Sequence, residues 1–342
     1  MERNKNYLGT LIMKKTLFFL LPIFLLFASC ADVKTTEAIQ NQNGTLTFNL
    51  SNLPALDDSL VLAAWIINDA GKVIHKFGKL TTSGSSFTGS FPLSLNDYQQ
   101  NTNNQFVCVS IEDRDSTLND TTTSNVFLLI SKIRTNEAQL SVVPKNPVGI
   151  AFGSDFDDQK YLGTDTSSVV PPSFYTAKGV YTIFTPTGAN VNTNSGIWFL
   201  NYKSADVYET GLRLPELPSG WTYKGWVKVN GNYLSIGEFK LATGNDAQNP
   251  FVGVNAMPTY PGEDFLQNSP SGFTFPLDLA GQEVMISVEP NGFNGYNKNK
   301  PFPLFILTGS IPGSVSNTTS TSLQNNFTNF PSGSAVYKIN IY

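Results

Sequence analysis

Few side chains in this chain could do chemistry, and most of them stand alone. The one histidine, His75, lies in Lys72-Val73-Ile74-His75-Lys76-Phe77, a strand-like run. A Ser or Cys nucleophile needs a base within hydrogen-bond reach and a third group orienting that base. Nothing near His75 in sequence supplies that set, so it reads as a solvent-facing strand residue. One histidine and two cysteines, Cys30 and Cys108, also fall short of the four ligands of a zinc site. Oxygen ligands are better represented. Asp155-Phe156-Asp157-Asp158 places three carboxylates close together after Gly153, a weak calcium candidate that lacks the full EF-hand spacing. Glu263, Asp264 and Glu289 are carboxylates by position only, because the acid pair of a glycosidase meets in space and not in sequence. Trp221, Tyr223, Tyr260, Phe265, Phe293 and Tyr296 lie in or beside polar loops, where exposed rings stack on sugars or anchor a protein partner. These residues predict a binding surface, with no catalytic constellation, no enzyme activity and no cofactor.

Cys30 has a different context. Met13-Lys14-Lys15 precedes an apolar run from Leu17 to Phe27, and Ala28-Ser29 stands directly before the cysteine. Positive start, short apolar stretch and small residues make a secretory signal over residues 1–29, with Met13 the better start. The run is too short to span a bilayer, which takes about 20 residues. Ala28-Ser29-Cys30 resembles the lipobox of bacterial lipoproteins, with Phe27 where an aliphatic residue is usual, as in the looser boxes of Bacteroidota. The resemblance implies cleavage before Cys30 and acylation, as with palmitate, of its thiol and its new amino group. Two or three chains hold a protein on a membrane where one does so marginally, each buried CH₂ contributing about 0.8 kcal/mol. The expected location is the cell envelope, lipid-anchored at the outer membrane, with residues 30–43 as a polar tether. With Cys30 acylated, Cys108 has no disulfide partner; alternation in Gln105 to Ile111 makes it a small buried hydrophobe.

Charge sets the next bound. The chain carries 22 Lys and Arg against 26 Asp and Glu, a net charge of −4. Nucleic-acid binding relies on clustered positive charge, so that class of partner is excluded. Abundant Asn, Thr, Ser and Gly with 25 Phe and 13 Tyr fit an extracytoplasmic β-protein.

The elements that must position these residues repeat. Asn52-Leu53-Pro54-Ala55-Leu56 matches Arg213-Leu214-Pro215-Glu216-Leu217, and each leads to a tryptophan strand, Ala64-Trp65 or Gly225-Trp226. Turn glycines follow (Gly71, Gly231), then Phe77-Gly78 and Ile236-Gly237, then Phe91-Pro92-Leu93 and Phe275-Pro276-Leu277. Val109-Ser110-Ile111-Glu112 and Ile286-Ser287-Val288-Glu289 close the series. Recurrence of Glu112 and Glu289 favours a structural role, such as bonding to a turn backbone. Short β-branched or aromatic runs bounded by turn residues dominate, and Asn230-Gly231 is a type I′ hairpin signal. The fold expected is all-β: two tandem antiparallel β-sandwich modules, 44–145 and 179–342, joined by a linker at 146–178. A Pro, Gly and Asn-rich insertion at 241–274 distinguishes the second copy.

Leu214-Pro215, Leu217-Pro218, Tyr223, Trp226, Gly237, Phe239 and Val288-Glu289-Pro290-Asn291-Gly292 resemble the extracytoplasmic domain of anti-sigma-K factors. The first copy keeps Leu53-Pro54, Trp65 and Ile111-Glu112 but has Asp113 in place of the proline. The resemblance implies a β-sandwich outside the cytoplasm, with the Leu-Pro and Trp positions as core and turn sites. It does not bring sigma binding, which needs a cytoplasmic helical domain. Asp58-Ser59-Leu60, Asp115-Ser116-Thr117 and Asp120-Thr121-Thr122 resemble the O-glycosylation signal of exported Bacteroidota proteins, making Ser59, Ser116 and Thr121 candidate acceptors. The function expected is a non-catalytic envelope lipoprotein that binds an unknown protein or glycan. Its alternatives are a sensor component acting in trans and a carbohydrate- or calcium-binding surface protein.

Overall fold

The computed structural model describes residues 43–99, 105–118, 121–133, 136–142, 172–188, 194–204, 207–317 and 319–340. Cys30, the signal and most of the tether, and Asp155, Asp157 and Asp158 lie outside the described residues. Two tandem antiparallel β-sandwich modules make up the fold. The first contains β1 (Asn43–Ser51), β2 (Leu60–Asn68), β3 (Val73–Leu80), β4 (Phe87–Ser94), the short helix α1 (Leu95–Gln99), β5 (Gln105–Asp113), β6 (Phe127–Lys132) and β7 (Glu137–Ser141). The chain continues through β8 (Lys178–Ile183), β9 (Gly196–Trp198), β10 (Leu200–Ser204), β11 (Val207–Thr210), β12 (Leu212–Arg213), β13 (Trp221–Val229), β14 (Asn232–Phe239) and β15 (Gly262–Asp264). It ends with β16 (Glu283–Pro290), β17 (Phe305–Ser310), β18 (Ser320–Asn325) and β19 (Ser332–Ile339).

Strand patterns explain the layers. In β1, Leu46, Phe48 and Leu50 point inward while Thr45, Thr47 and Asn49 face outward, the period-two signature of a half-buried strand. β2 and β5 are buried on both faces. Leu62, Ala64, Ile66, Val107, Val109 and Ile111 enter the main core. The opposite face of the same strands carries Trp65, Ile67, Phe106 and Cys108 into a smaller cluster that Leu118 covers. Cys108 is therefore a buried hydrophobe as expected, and burial pushes its thiol well above the ordinary value.

The strands of the first sheet run β3-β2-β5-β6-β7-β19-β1-β4. Its two ends come together, with Phe77 of β3 and Phe91 of β4 at 5.2 Å between ring centroids and Phe48 beside both. The second sheet runs β14-β13-β16-β17-β18-β8-β9-β15, with β12 on β8, and β10 and β11 form a separate ribbon. Asn230 and Gly231 take φ of 50° and 81° between β13 and β14, as a type I′ turn requires.

Two boundaries expected from the sequence move. The division at 179–342 gives the last strand to the second module, yet β19 pairs with β1 and β7 of the first. It fits because β1 and β7 each offer a free edge there, and because Ala335 and Tyr337 fill the first module's core. The linker at 146–178 does not stay a linker to its end. Ser173 and Thr176 cap one another's backbone, and Phe174 is buried against Phe330 at 5.4 Å.

Candidate functional site

A hydrogen-bonded corner recurs in both modules. Trp65 of β2 donates its indole N–H to Ser110 Oγ at 2.8 Å, and Ser110 donates to Glu112 Oε1 at 2.5 Å. Glu112 Oε1 also accepts the Ser124 amide at 3.1 Å. In the second module Trp226 donates to Ser287 Oγ at 2.9 Å and to Glu289 Oε1 at 3.3 Å, and Ser287 donates to the same carboxylate. The Phe302 amide reaches Glu289 at 3.1 Å, and the Tyr296 hydroxyl donates to its Oε2. The expected backbone-bonding role of Glu112 and Glu289 is thus what the geometry displays. Burial raises the Glu289 carboxyl, while Ser287, Tyr296, Phe302 and Lys224 pull it back toward the ionised form.

The two modules then treat the same face differently. Counting from the tryptophans, Ala63 and Ile67 in β2 correspond to Lys224 and Lys228 in β13. Phe106 and Cys108 in β5 correspond to Glu283 and Met285 in β16. An apolar face under Leu118 in the first module is therefore a charged face in the second, where Lys228 and Glu283 pair at 3.0 Å. Beside it opens a cleft of about 460 Å³ between β13–β14 and the insertion, lined by Lys224, Trp226, Tyr233, Phe251, Phe273 and Lys298 among others. Lys224 is nearly buried, and its Nζ lies 4.5 Å from the centre of the Trp226 ring. That ammonium also donates to the Lys298 carbonyl at 2.8 Å and stands 3.6 Å from Glu238. Burial lowers its pKa, against the pull of Glu238 and Glu289. Ring faces along the walls and a fixed ammonium at the floor suit a ligand with an apolar side and polar edges.

Behind the cleft the insertion closes the second sheet with carboxylates, where the first module uses phenylalanines. Asp246 Oδ2 accepts the Gly262 amide of β15 at 3.1 Å, and the Ala247 amide donates to the Glu238 carbonyl of β14 at 2.8 Å. Gly237 makes room: its φ is 140°, and a Cβ there would meet Asp246 Oδ2 at 2.3 Å. Asp264 Oδ2 accepts the Thr187 amide at 2.8 Å and hydroxyl at 2.6 Å, and its Oδ1 accepts the Trp198 indole at 2.8 Å. Glu263, fully buried, accepts the Asp264 amide through Oε1 at 3.1 Å. Burial raises the carboxyl of Asp246 to about 7 and, with Asp246 beside it, that of Glu263 to about 9.

Most side chains singled out from the sequence sit elsewhere than expected. Trp221, Tyr223 and Phe265 are core residues and not a surface, Trp221 and Tyr223 because β13 turns them inward and Phe265 directly after β15; the Tyr223 hydroxyl is satisfied by the Pro215 carbonyl at 2.7 Å. Tyr260, Phe293 and Tyr296 are half-buried, with Tyr260 donating to the Tyr208 carbonyl at 3.1 Å. None of these six is among the residues lining the cleft. Glu289 feels Lys224, whereas Glu263 feels Asp246 and Asp264, so these carboxylates belong to separate clusters. His75 is half-buried, not solvent-facing, at 4.7 Å from the Phe77 ring, and burial lowers its pKa. Ser59 Oγ is out of reach of solvent and unsuited to glycosylation in the folded chain, whereas Thr121 is exposed. Ser116 is half-buried and donates to the Asp113 carbonyl at 2.7 Å.

Sequence reading missed the cleft. Its available signal was the lysine at 224, where the matching strand of the first copy has alanine. The insertion, moreover, is more than a surface loop, since it supplies β15 and the buried Glu263, Asp264 and Phe265. Comparison with known proteins gives no matching family model, no matching curated protein and no matching solved structure.

Proposed function

We propose that this protein is a non-catalytic envelope lipoprotein, held to the outer membrane through acylated Cys30, whose second module binds a ligand in the cleft between β13–β14 and the insertion. The observation that carries the binding reading is Lys224. A lysine held almost out of water over an indole, and fixed there by Glu238 and the Lys298 carbonyl, gives the cleft an oriented positive charge where the matching position of the first module carries alanine. Half-buried Tyr233, Phe251 and Phe273 supply stacking faces, which favours a glycan or an aromatic-rich peptide as ligand. Screening the mature protein against glycan and peptide arrays tests this. Hits are expected to weaken at least tenfold in Tyr233→Ala and Phe273→Ala, while hits unaffected by either change would sink the cleft as the site. Loss of membrane fractionation and of palmitate labelling in Cys30→Ala tests the anchor.

A second reading, a sensor component related to anti-sigma-K periplasmic domains, is supported by the way its motif residues act on one another. Trp226 reaches Glu289 at 3.3 Å, and Tyr223 bonds Pro215. It predicts a membrane partner with a cytoplasmic sigma-binding domain, recoverable by cross-linking in cells.

A further inference from the structure

Buried carboxylates are normally paired with a cation or saturated with donors. At the seam between β14 and β15 this holds for Asp264, whose two oxygens take three donors. It fails for its neighbours. Asp246 Oδ1, Glu263 Oε2 and the side-chain oxygen of Asn249 are all buried without a hydrogen-bond partner. The three belong together: Asp246 is bonded to Gly262, the residue before Glu263, and the Asn249 amide lies beside Asp246. Glu263 is fully buried and Asp246 more than nine-tenths buried. The charged influences on Glu263 are Asp246 and Asp264, both negative, and no lysine or arginine acts on either Asp246 or Glu263. Such a pair calls for positive charge that no lysine or arginine among the described residues provides.

We propose that Asp246, Glu263 and Asn249 form a calcium site that fastens the insertion across the seam of the second sheet. Gly262 holds Asp246 Oδ2 and Asp264 holds Glu263 Oε1 through their amides, the Asn249 side chain and the Phe251 amide also act on Asp246 and Glu263 respectively, and Asp246 Oδ1 and Glu263 Oε2 are left for the ion. Among the described residues no three His, Cys, Asp or Glu side chains group to hold a metal. Two carboxylates with an amide oxygen are an all-oxygen set, which selects a hard ion completed by main-chain carbonyls or water over zinc or copper. Calcium suits it better than magnesium, because its larger, flexible shell of six to eight oxygens tolerates the irregular geometry of a loop. The proposed ligands do not include Asp155, Asp157 and Asp158, which lie outside the described residues. The site does not depend on what fills the cleft, although Ala247 and Gln248 of the same segment line that cleft.

The experiment uses mature protein freed of metal with a chelator and titrated with CaCl₂ and MgCl₂ at pH 7.5, read by calorimetry and by thermal melting. One calcium per chain is expected, with a rise in Tm of about 5 °C at a hundredfold excess over Kd and a smaller rise with magnesium. Asp246→Asn and Glu263→Gln should each lose that rise by at least tenfold in affinity. Both keep the size and hydrogen-bonding shape of the protonated acid, so both are expected to fold, and retention of the metal-free Tm checks this. The double variant Asp155→Asn, Asp157→Asn should bind as the parent does. Absence of calcium binding in the parent overturns the proposal, as does binding that survives both seam variants or disappears in the double variant. In the first case the pair is held by a shared proton instead.

Discussion

At the scale of single residues, the repeated Trp–Ser–Glu corners allow a quantitative comparison. Glu289 receives Trp226, Ser287, Tyr296 and the Phe302 amide, whereas Glu112 receives Ser110 and the Ser124 amide. Removing an acceptor leaves buried donors unsatisfied at about 1–3 kcal/mol each before relaxation. Glu289→Ala is therefore expected to cost roughly 3–4 kcal/mol and Glu112→Ala roughly 1–2 kcal/mol, measured by urea unfolding. Equal losses would show that the extra donors at Glu289 find water when it is gone. The seam carboxylates make a pH prediction for the metal-free protein. Their folded pKa values, about 7 for Asp246 and about 9 for Glu263, lie above the ordinary values of 3.8 and 4.5. Folding therefore favours the protonated forms. Their stabilising contribution is complete below about pH 4 and is lost as pH rises through 7 and then 9. The melting temperature of chelated protein should fall from about pH 4 to about pH 9, and Glu263→Gln should flatten the part of that fall above about pH 7. A steeper fall in the variant would contradict the assignment.

At the scale of elements, the two glycines after the tryptophan hairpins report what the insertion adds. Gly78 and Gly237 both have positive φ, 101° and 140°, but a Cβ at Gly78 meets open space while one at Gly237 collides with Asp246. Alanine at Gly78 should cost about 1–2 kcal/mol for backbone strain alone. At Gly237 the same change must also move Asp246 off Gly262 and open the seam, so a larger loss is expected, with altered near-UV dichroism from the aromatic residues around the insertion. Identical losses at both sites would mean that Asp246 yields freely. Much of this level was legible in the sequence. Alternation placed Cys108 in a strand, now β5, and Asn230-Gly231 placed the hairpin, because both signals are local. The insertion was visible as an interruption of a repeat, but not β15 within it. Its Gly262-Glu263-Asp264 carries two acids and no β-branched residue, and it becomes a strand through pairing with Gly196-Ile197-Trp198. For the same reason the aromatic residues beside loops misled. Trp221 and Tyr223 begin β13, and the register with β16, not composition, turns them inward.

At the scale of the whole molecule, the two modules are tandem in sequence but interlocked in space. β19 leaves the end of the second module and enters the first sheet, matched from Gly44 with Ile339 to Ser51 with Ser332 on one side and from Val336 with Glu137 to Ser332 with Ser141 on the other. Tyr337 stacks on Tyr98 at 4.0 Å, and its hydroxyl donates to the Leu93 carbonyl at 3.2 Å. Gly44 lies beneath that ring, where a Cβ would fall 2.2 Å from the Tyr337 hydroxyl. One continuous core cluster runs from Leu46 and Val109 through Phe174 and Phe330 to Ile286 and Leu307. A repeat search finds β-modules but not this exchange, because an end strand paired across the molecule leaves no local trace. The arrangement predicts a single cooperative transition in calorimetry, where independent domains would give two. It also predicts that a chain ending at Pro331 loses more than a tail. β1 and β7 would each expose an unpaired edge, and the first module would lose Ala335 and Tyr337 from its core. The truncated protein should melt in two steps, with the first module unfolding at lower temperature and the Trp226 hairpin keeping its fluorescence. A synthetic peptide of residues 332–340 should restore the single transition by occupying the vacant slot. Should the truncated chain melt as one unit at the parent temperature, β19 would be an accessory strand and the modules would fold independently.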